Sequence, residues 1–341
     1  MNKPSQFASL LTSYLSEYLP GQRNLSSNTI RSYRDTFRLL LQFCRDEKHL
    51  KIEKLDLRSF DEQLIKEFLA WLERERHCSV STRNQRLAAL HAFFRYVQIE
   101  APECMTHAIE ILGIPFKRGE KPNILFLSPD ALKLLLAQPD VKTARGRRDL
   151  ALMSLLYDTG ARVQELCDLR VRDLRLETPA IVTLVGKGRK MRHVPLMTNT
   201  AKLLTDYISE RKLDCPARLD HPLFFNPQRN QLTRAGVTYV VKKYAEQARQ
   251  KEPVFLPERI SPHVLRHTKA MHLLQANVNL IYIRDLLGHV DVATTEIYAR
   301  ADTEMKRRAL ENAYPDLVPE NLPAWNRDSD LMAWLKDFCN S

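Results

Sequence analysis

The chain has 341 residues, 44% of them hydrophobic and 27% charged, the profile of a folded globular protein large enough for two domains. Its 52 lysines and arginines against 41 acidic residues give a net charge of +11, concentrated in residues 119–300, which hold 29 basic and 19 acidic side chains. With no apolar run long enough for a membrane span, no signal peptide and six scattered cysteines, the sequence argues against export, a disulfide framework and a structural zinc site, and favours the cytoplasm. The excess positive charge suits a polyanionic partner such as nucleic acid, although generic solubilising charge is an alternative.

Residues 1–112 predict a bundle of four amphipathic helices. Apolar residues recur at helical spacing in residues 7–18, "TIRSYRDTFRLLLQF", "DEQLIKEFLAWLERER" and "STRNQRLAALHAFFRYVQIE". Residues 113–124 combine proline, glycine and charge without helical periodicity, which is typical of an interdomain linker. A second domain over residues 125–341 follows.

The second domain is predicted to be mainly α-helical with a small β-hairpin. Ser128 and Pro129 mark one helix start, and Gly160 ends the next helix. In "AIVTLVGKGRKMRHVPLM", two β-rich runs flank a turn that contains glycine. A further helix is expected around residues 238–246.

The stretch "RISPHVLRHTKAMHLLQANV" places two histidines and an arginine at a predicted helix start. Ser261 suits the N-cap and Pro262 the first helical position, so His263 and Arg266 fall within the first two turns. The positive end of a helix dipole favours an anion, such as a phosphate or carboxylate, over a cation. An ordinary surface helix, or a zinc site formed by His263 and His267, are the alternatives.

Three other stretches carry candidate functional residues. "YDTGARVQELCDL" puts Arg162 at a junction between two helices, with Glu165 one turn later. "GKGRK" projects Lys187 from the hairpin tip. "RDLLGHVDVATTEIYA" exposes His289 in a turn and places Tyr298 in the helix that follows.

Together these motifs resemble the catalytic domain of the tyrosine site-specific recombinases, which include phage integrases, transposon integrases and chromosome-dimer resolvases. The resemblance covers residues 125–300, and the first hundred residues are similar to the helical, SAM-like core-binding domain of the same family. It depends on the ordered combination of "TGAR…E", "GKGRK", "HVLRH", "LGH" and a tyrosine nine residues further on. No single motif is specific.

The resemblance implies that Tyr298 attacks a DNA phosphodiester and forms a 3′-phosphotyrosyl link. Charge gathers on the nonbridging oxygens of the phosphate in the transition state, and a guanidinium binds such oxygens bidentately. That role is implied for Arg162 and Arg266.

The remaining residues of the motif have supporting roles by the same resemblance. His263 and His289 would donate hydrogen bonds to the phosphate, and His263 would also help to take the tyrosine proton. Lys187 is expected to be the general acid toward the leaving 5′ oxygen, with Lys190 as its competitor. Glu165 is expected to orient the cationic groups.

Three positions depart from the pattern usual in the family. Gln164 stands where a small or apolar residue is usual. Lys269 stands where an apolar or aromatic residue is usual, and Val290 where a small polar residue is usual. None of them removes a catalytic group, so we expect an active member of a divergent branch. His267 is interpreted as a packing or helix-start residue.

The implied function is that of a site-specific recombinase or integrase of a mobile genetic element. It would act on double-stranded DNA through a Holliday junction, without metal, ATP or another cofactor, and it would be associated with the nucleoid. The expected assembly is a homotetramer that exchanges C-terminal helices from a tail at about residues 301–341, with sister recombinases as further partners. The alternatives are a catalytically silent DNA-binding protein of the same fold and a type IB topoisomerase.

Overall fold

The structure is a computed structural model that describes residues 5–119, 124–253, 256–289 and 291–301. The chain divides into two compact units, Met1–Pro122 and Asn123–Ser341. Apart from residue 301, the predicted C-terminal tail lies outside the described residues, as does Val290. Of the helices that are described, none has the combination of length and apolar character required to cross a membrane.

Helices are the only regular secondary structure in the described part of the first unit, and the four predicted helices are confirmed. Its helices are α1 (Gln6–Ser13), continued by a π-helical segment (Tyr14–Gln22), α2 (Ser27–Asp46), α3 (Glu62–Arg74), α4 (Val80–Glu100) and α5 (Met105–Leu112). Helix α5 was not predicted. Helix α4 lies at the centre, since the buried ring of Phe93 contacts Phe7, Tyr14 and Phe37.

Part of the predicted linker packs against this unit. The Asn84 side chain, on α4, donates from Nδ2 to the Lys117 carbonyl at 2.8 Å and accepts from the Lys117 amide at 3.1 Å. Arg83 donates to the Pro115 carbonyl, and Ile114 is buried in the core of the unit. Residues 114–117 are therefore attached to α4, because an amide side chain satisfies backbone groups that a free linker would leave to water.

The second unit is mainly helical with one small sheet, as predicted. Its helices are α6 (Pro129–Leu136), α7 (Ala144–Thr159), α8 (Val163–Asp168), α9 (Thr198–Glu210), α10 (Arg234–Lys251), α11 (Pro262–Gln275), α12 (Leu280–Leu287) and α13 (Ala293–Ala301). The strands are β1 (Leu174–Arg175), β2 (Ile181–Val185) and β3 (Met191–Pro195), antiparallel in the order β1-β2-β3. The hairpin around "GKGRK" is confirmed, while β1 was not predicted.

Helix packing in the second unit brings several helix ends together. Helix α7 is buried over most of its length and packs against α9 and α11, and α11 also contacts α12 and α13. The start of α6 is as predicted, because the Ser128 side chain accepts from the Ala131 amide. At the start of α11, by contrast, Ser261 caps only with its backbone carbonyl, which accepts from Val264.

Candidate active site

Two glycines end the helices that frame the site. Gly160 ends α7 with φ +58°, and Gly288 ends α12 with φ +66°, both in the left-handed region that other residues adopt at a cost. A Cβ on Gly160 would lie 2.6 Å from Leu287 Cδ2, and a Cβ on Gly288 would lie 2.8 Å from Arg192 Nη1. The two turns are therefore packed closely against the groups of the site.

Arg266, on α11, joins the two helix ends. It is 4% exposed, and it donates from Nη1 to the Gly160 carbonyl at 2.6 Å and from Nη2 to the Leu287 carbonyl at 2.7 Å. Carbonyls at a helix C-terminus carry partial negative charge and stabilise a cation. Burial and the nearby charge of Arg162 lower the pKa of Arg266 to about 10, so it remains charged at neutral pH.

Arg162 and Arg192 share the carboxylate of Glu165. Arg162 donates to Glu165 from its backbone N–H and from Nη1, both at 2.9 Å. Arg192 donates from Nη1 at 3.0 Å and from Nη2 at 2.6 Å. Burial would raise the pKa of Glu165, but the hydrogen bonds from Arg192 and Arg162 bring that pKa below its usual value.

The end of α12 holds all three guanidiniums. The Leu286 carbonyl accepts from Arg192 Nε at 2.9 Å, and the Gly288 carbonyl accepts from Arg162 Nη2 at 3.2 Å. With Arg266 on the Leu287 carbonyl, consecutive carbonyls each take one arginine. Three cationic groups face one carboxylate in this part of the described chain, so the site carries excess positive charge and suits an anion.

Tyr298, on α13, is buried beside these arginines. The residue is 1% exposed, and its hydroxyl lies 2.9 Å from Nδ1 of His267 on α11. Its ring is stacked on the ring of His289, with centroids 6.4 Å apart and planes inclined by 9°. Burial raises the pKa of Tyr298, while the positive charges of Arg266 and Arg162 act in the opposite direction.

The surroundings of the site favour the neutral form of its histidines by lowering their pKa values. Nδ1 of His289 is hydrogen-bonded to the buried Thr295 hydroxyl, at a distance of 2.9 Å. Burial and the charges of Arg266 and Arg162 lower the pKa of His289 to about 4. His263 is exposed in the first turn of α11, and loss of hydration at its ring, with the same two charges, lowers its pKa as well.

Gly186, at the start of the hairpin turn, lies against the site. The Gly186 amide donates to the Lys190 carbonyl at 2.8 Å, and a Cβ on Gly186 would lie 3.3 Å from Glu165 Oε1. The backbone of Lys187 follows directly, although its side chain is outside the described set. Lys190 is exposed. In the described ranges, no group of three histidine, cysteine or acidic residues is arranged to bind a metal ion.

Sequence reasoning missed two polar contacts of the site, made by His267 and Arg192. The interpretation of His267 as a packing residue overlooked its hydrogen bond to Tyr298; the signal was its helical spacing with the buried residues Ala270 and Leu274. Arg192 lies two positions before the buried Val194 on β3, so the period-2 rule of a strand puts an arginine on the inward face.

Replacing Gly160 with alanine is expected to lower the free energy of unfolding by about 1–3 kcal/mol, because the left-handed φ and the contact with Leu287 both penalise a Cβ. Gly188→Ala is the matched control, since Gly188 also has a left-handed φ, of +75°, but has no neighbour within 4 Å of the added Cβ. Chemical denaturation of the two variants measures the difference. Equal losses would show that the contact with α12 contributes nothing.

Family models match both units. Residues 126–305 match the model described as the phage integrase family, and residues 11–100 match the phage integrase N-terminal SAM-like domain. The chain is 39% identical over 339 residues to a candidate integrase/recombinase, y4rC, of Sinorhizobium fredii, covering 99% of this chain and all of that protein. It is 32% identical over 304 residues to tyrosine recombinase XerD of Listeria monocytogenes, covering 89% and 96% of the two chains.

Solved structures share the fold. The Tn1549 transposon integrase in complex with transposon right end DNA has a TM-score of 0.69 at 19% identity, covering 88% of this chain and 98% of that one. The XerH site-specific recombinase bound to palindromic difH substrate has a TM-score of 0.66 at 22% identity, covering 91% and 90%. The family models and the sequence relatives confirm the resemblance predicted from the motifs, and the chain belongs to the phage integrase family of tyrosine recombinases.

Proposed function

We propose that this protein is a site-specific DNA recombinase that cleaves and rejoins double-stranded DNA through a covalent link to Tyr298. The observation that carries the proposal is the pair of guanidiniums, Arg162 and Arg266, held at helix-end carbonyls close to a buried tyrosine. Family membership supports it, as do structural neighbours solved in complex with transposon right end DNA and with palindromic difH substrate.

In the proposed reaction the two arginines bind the nonbridging oxygens of one phosphodiester. Their N–H groups that are not bonded to Gly160, Leu287, Gly288 or Glu165 are the donors for this anion. Because carbonyls and a carboxylate already fix the guanidiniums, little reorganisation is needed when charge develops on the phosphate. Removing a preorganised donor of this kind typically slows a reaction by about 10²–10³-fold.

The other residues assist the transfer. We assign Lys187 as the acid that protonates the leaving 5′ oxygen, since the preceding residue, Gly186, lies against Glu165. His289 donates to the phosphate from Nε2 if the Thr295 hydroxyl donates to Nδ1, and His263 donates from the exposed start of α11. Glu165 acts on Arg162 through its ion pair and does not contact DNA.

The covalent step keeps the energy of the phosphodiester. Attack by Tyr298 on the phosphorus forms a 3′-phosphotyrosyl bond and releases a 5′-hydroxyl, and a 5′-hydroxyl from the partner duplex reverses the step. Two such exchanges pass through a Holliday junction. The reaction as proposed needs neither metal nor ATP, and we assign it to the movement of a mobile genetic element.

The assembly we propose is a homotetramer on two DNA duplexes in the nucleoid, with C-terminal tails exchanged between subunits and sister recombinases as further partners. The basic charge of residues 119–300 supports binding to a polyanion, and affinity for DNA should fall steeply with salt. Sequence-specific contacts in the grooves would select the target site.

The test is a covalent trap with Tyr298→Phe in parallel. The protein is incubated with a library of nicked duplexes carrying random arms, then denatured, and the DNA that remains attached is sequenced. We expect adducts only with tyrosine at position 298, because phenylalanine has no nucleophilic oxygen, and the recovered DNA should share one recognition site. Binding to DNA should be equal in the two proteins.

Two other results would contradict the proposal. Salt-sensitive DNA binding without any adduct would favour the catalytically silent binding protein. Relaxation of supercoiled DNA without joining of two sites would favour a topoisomerase.

A further inference from the structure

The reaction described above gives no role to His267. This residue directly follows Arg266 on α11, and its Nδ1 lies 2.9 Å from the hydroxyl of Tyr298. Building on the proposed function, we infer that His267 is a catalytic residue whose Nδ1 accepts the phenolic proton when Tyr298 attacks the phosphorus.

Burial leaves the phenolic proton few routes. Tyr298 is 1% exposed and belongs to the apolar cluster that contains Met271 and Leu287, so bulk water does not solvate its hydroxyl. The His289 ring is nearly parallel to the Tyr298 ring, with centroids 6.4 Å apart, and its Nδ1 is hydrogen-bonded to the Thr295 hydroxyl. Among the described residues, the nitrogen in hydrogen-bond contact with the hydroxyl is therefore that of His267.

The surroundings of His267 favour the neutral form of its imidazole, which is the form that accepts a proton. Burial lowers its pKa, and the positive charge of Arg266, next to it on the same helix, lowers it further. The other charged or titratable groups facing the site are Arg162 at the N-cap of α8, Glu165 on α8, Arg192 on β3, His289 in the turn after α12 and Tyr298 on α13.

Bound phosphate would strengthen this base. A phosphodiester on Arg162 and Arg266 offsets the positive charge that disfavours protonation of His267, and its proton affinity then rises. Since Arg266 and His267 are consecutive on one helix, the group that binds the phosphate and the group that takes the proton are held together. Deprotonation of Tyr298 is thereby coupled to binding of the phosphodiester.

The step balances without another reactant. The bond between Tyr298 Oη and phosphorus forms while the bond from phosphorus to the 5′ oxygen breaks, and the electron pair of that bond goes to the 5′ oxygen. The phenolic proton moves to Nδ1 of His267, and the 5′ oxygen takes a proton from the acid, assigned above to Lys187. In the reverse step, the Nδ1 proton returns to Oη.

A second histidine of α11 provides a matched control. His272 contacts the Tyr157 hydroxyl through Nδ1 at 3.0 Å, is half-buried like His267, and likewise has a lowered pKa. Asparagine at either position keeps a neutral hydrogen-bond acceptor near Nδ1 but does not take a proton at physiological pH. His267→Asn and His272→Asn therefore make the same chemical change at two tyrosine contacts.

The measurement is the single-turnover rate of adduct formation on a nicked duplex carrying the site recovered by the covalent trap, from pH 5.5 to 9. We expect His267→Asn to slow the rate by about 10²–10⁴-fold and to remove the rise of the rate with pH, since a general base contributes about that factor. His272→Asn should keep the wild-type rate and pH profile, and both variants should bind DNA as the wild type does.

Nitrogen-15 NMR of the imidazoles in the free protein tests the contact without DNA, with the His267 signals identified by their loss in His267→Asn. We expect an unprotonated Nδ1 at neutral pH; a protonated Nδ1 would overturn the acceptor role. Wild-type rate and pH profile in His267→Asn would overturn it too, while leaving the proposed function intact. No adduct from the wild-type protein would instead overturn the proposed function, and this inference with it.

Discussion

Replacing Arg266 with lysine is expected to slow covalent adduct formation on DNA by about a thousandfold or more. One planar guanidinium bonds two carbonyls, of Gly160 and Leu287, and still has N–H groups left for a phosphate. A lysine ammonium is a single point and does not span both carbonyls while also binding an anion. Rate losses of about 10³–10⁵ accompany removal of an arginine that stabilises phosphoryl transfer.

The same substitution should also destabilise the fold. A buried carbonyl left without a partner costs about 1–3 kcal/mol, and Arg266 serves two. Arg162→Lys separates the effect on cleavage from the effect on stability. The Arg162 side chain is 34% exposed, so water can take its place at the Gly288 carbonyl. We expect slow cleavage in both variants but a marked drop in melting temperature only in Arg266→Lys. An Arg266→Lys protein with wild-type cleavage would remove the arginine from the mechanism.

Replacing Glu165 with glutamine is expected to lower the free energy of unfolding at pH 7 by about 3 kcal/mol, since breaking a buried ion pair costs about 3–5 kcal/mol and Arg162 is partly hydrated. Its carboxylate accepts hydrogen bonds from Arg162 and Arg192, and a neutral amide leaves both cations uncompensated. Cleavage should slow as well, because Arg162 loses the partner that orients it.

The effect of Glu165→Gln should depend on pH. The folded protein holds the pKa of Glu165 below its usual value, so the ionised carboxylate stabilises the fold above the unfolded-state pKa of about 4.3. That contribution is lost as pH falls through the lower, folded-state pKa. The difference in stability between wild type and Glu165→Gln should therefore be largest near neutral pH and shrink in acid, as measured by urea unfolding at several pH values.

Glu210→Gln is the matched control for this prediction. Glu210 forms a two-point ion pair with Arg147, as Glu165 does with Arg192, but the side chains of the former pair are 27% and 40% exposed, against 4% and 11% for the latter. Exposed ion pairs contribute about 0–1 kcal/mol. A loss in Glu210→Gln as large as that in Glu165→Gln would show that burial is not what makes the Glu165 pair important.

Local signals in the sequence were sufficient for most elements of the second unit. Proline and serine mark the start of α6, and the hairpin follows from two β-rich runs around a glycine turn. Gly160 ends α7 because only glycine adopts the left-handed conformation there at no steric cost. The ordered motifs also sufficed for the family, because their residue types in combination are specific. Helix α5 of the first unit and strand β1 were not predicted, since α5 is short and β1 has two residues.

By itself, therefore, the sequence determined most helix and strand positions, the family and the candidate residues other than His267 and Arg192. Only the tertiary structure decided which of those residues meet. Arg162 reaches a carbonyl 126 positions away, Arg192 pairs with a glutamate 27 positions away, and His267 contacts a tyrosine 31 positions away. Helical and strand periodicity indicates which face is buried but not what that face packs against. The partners of these residues were set by how α7, α11, α12, α13 and strand β3 pack together.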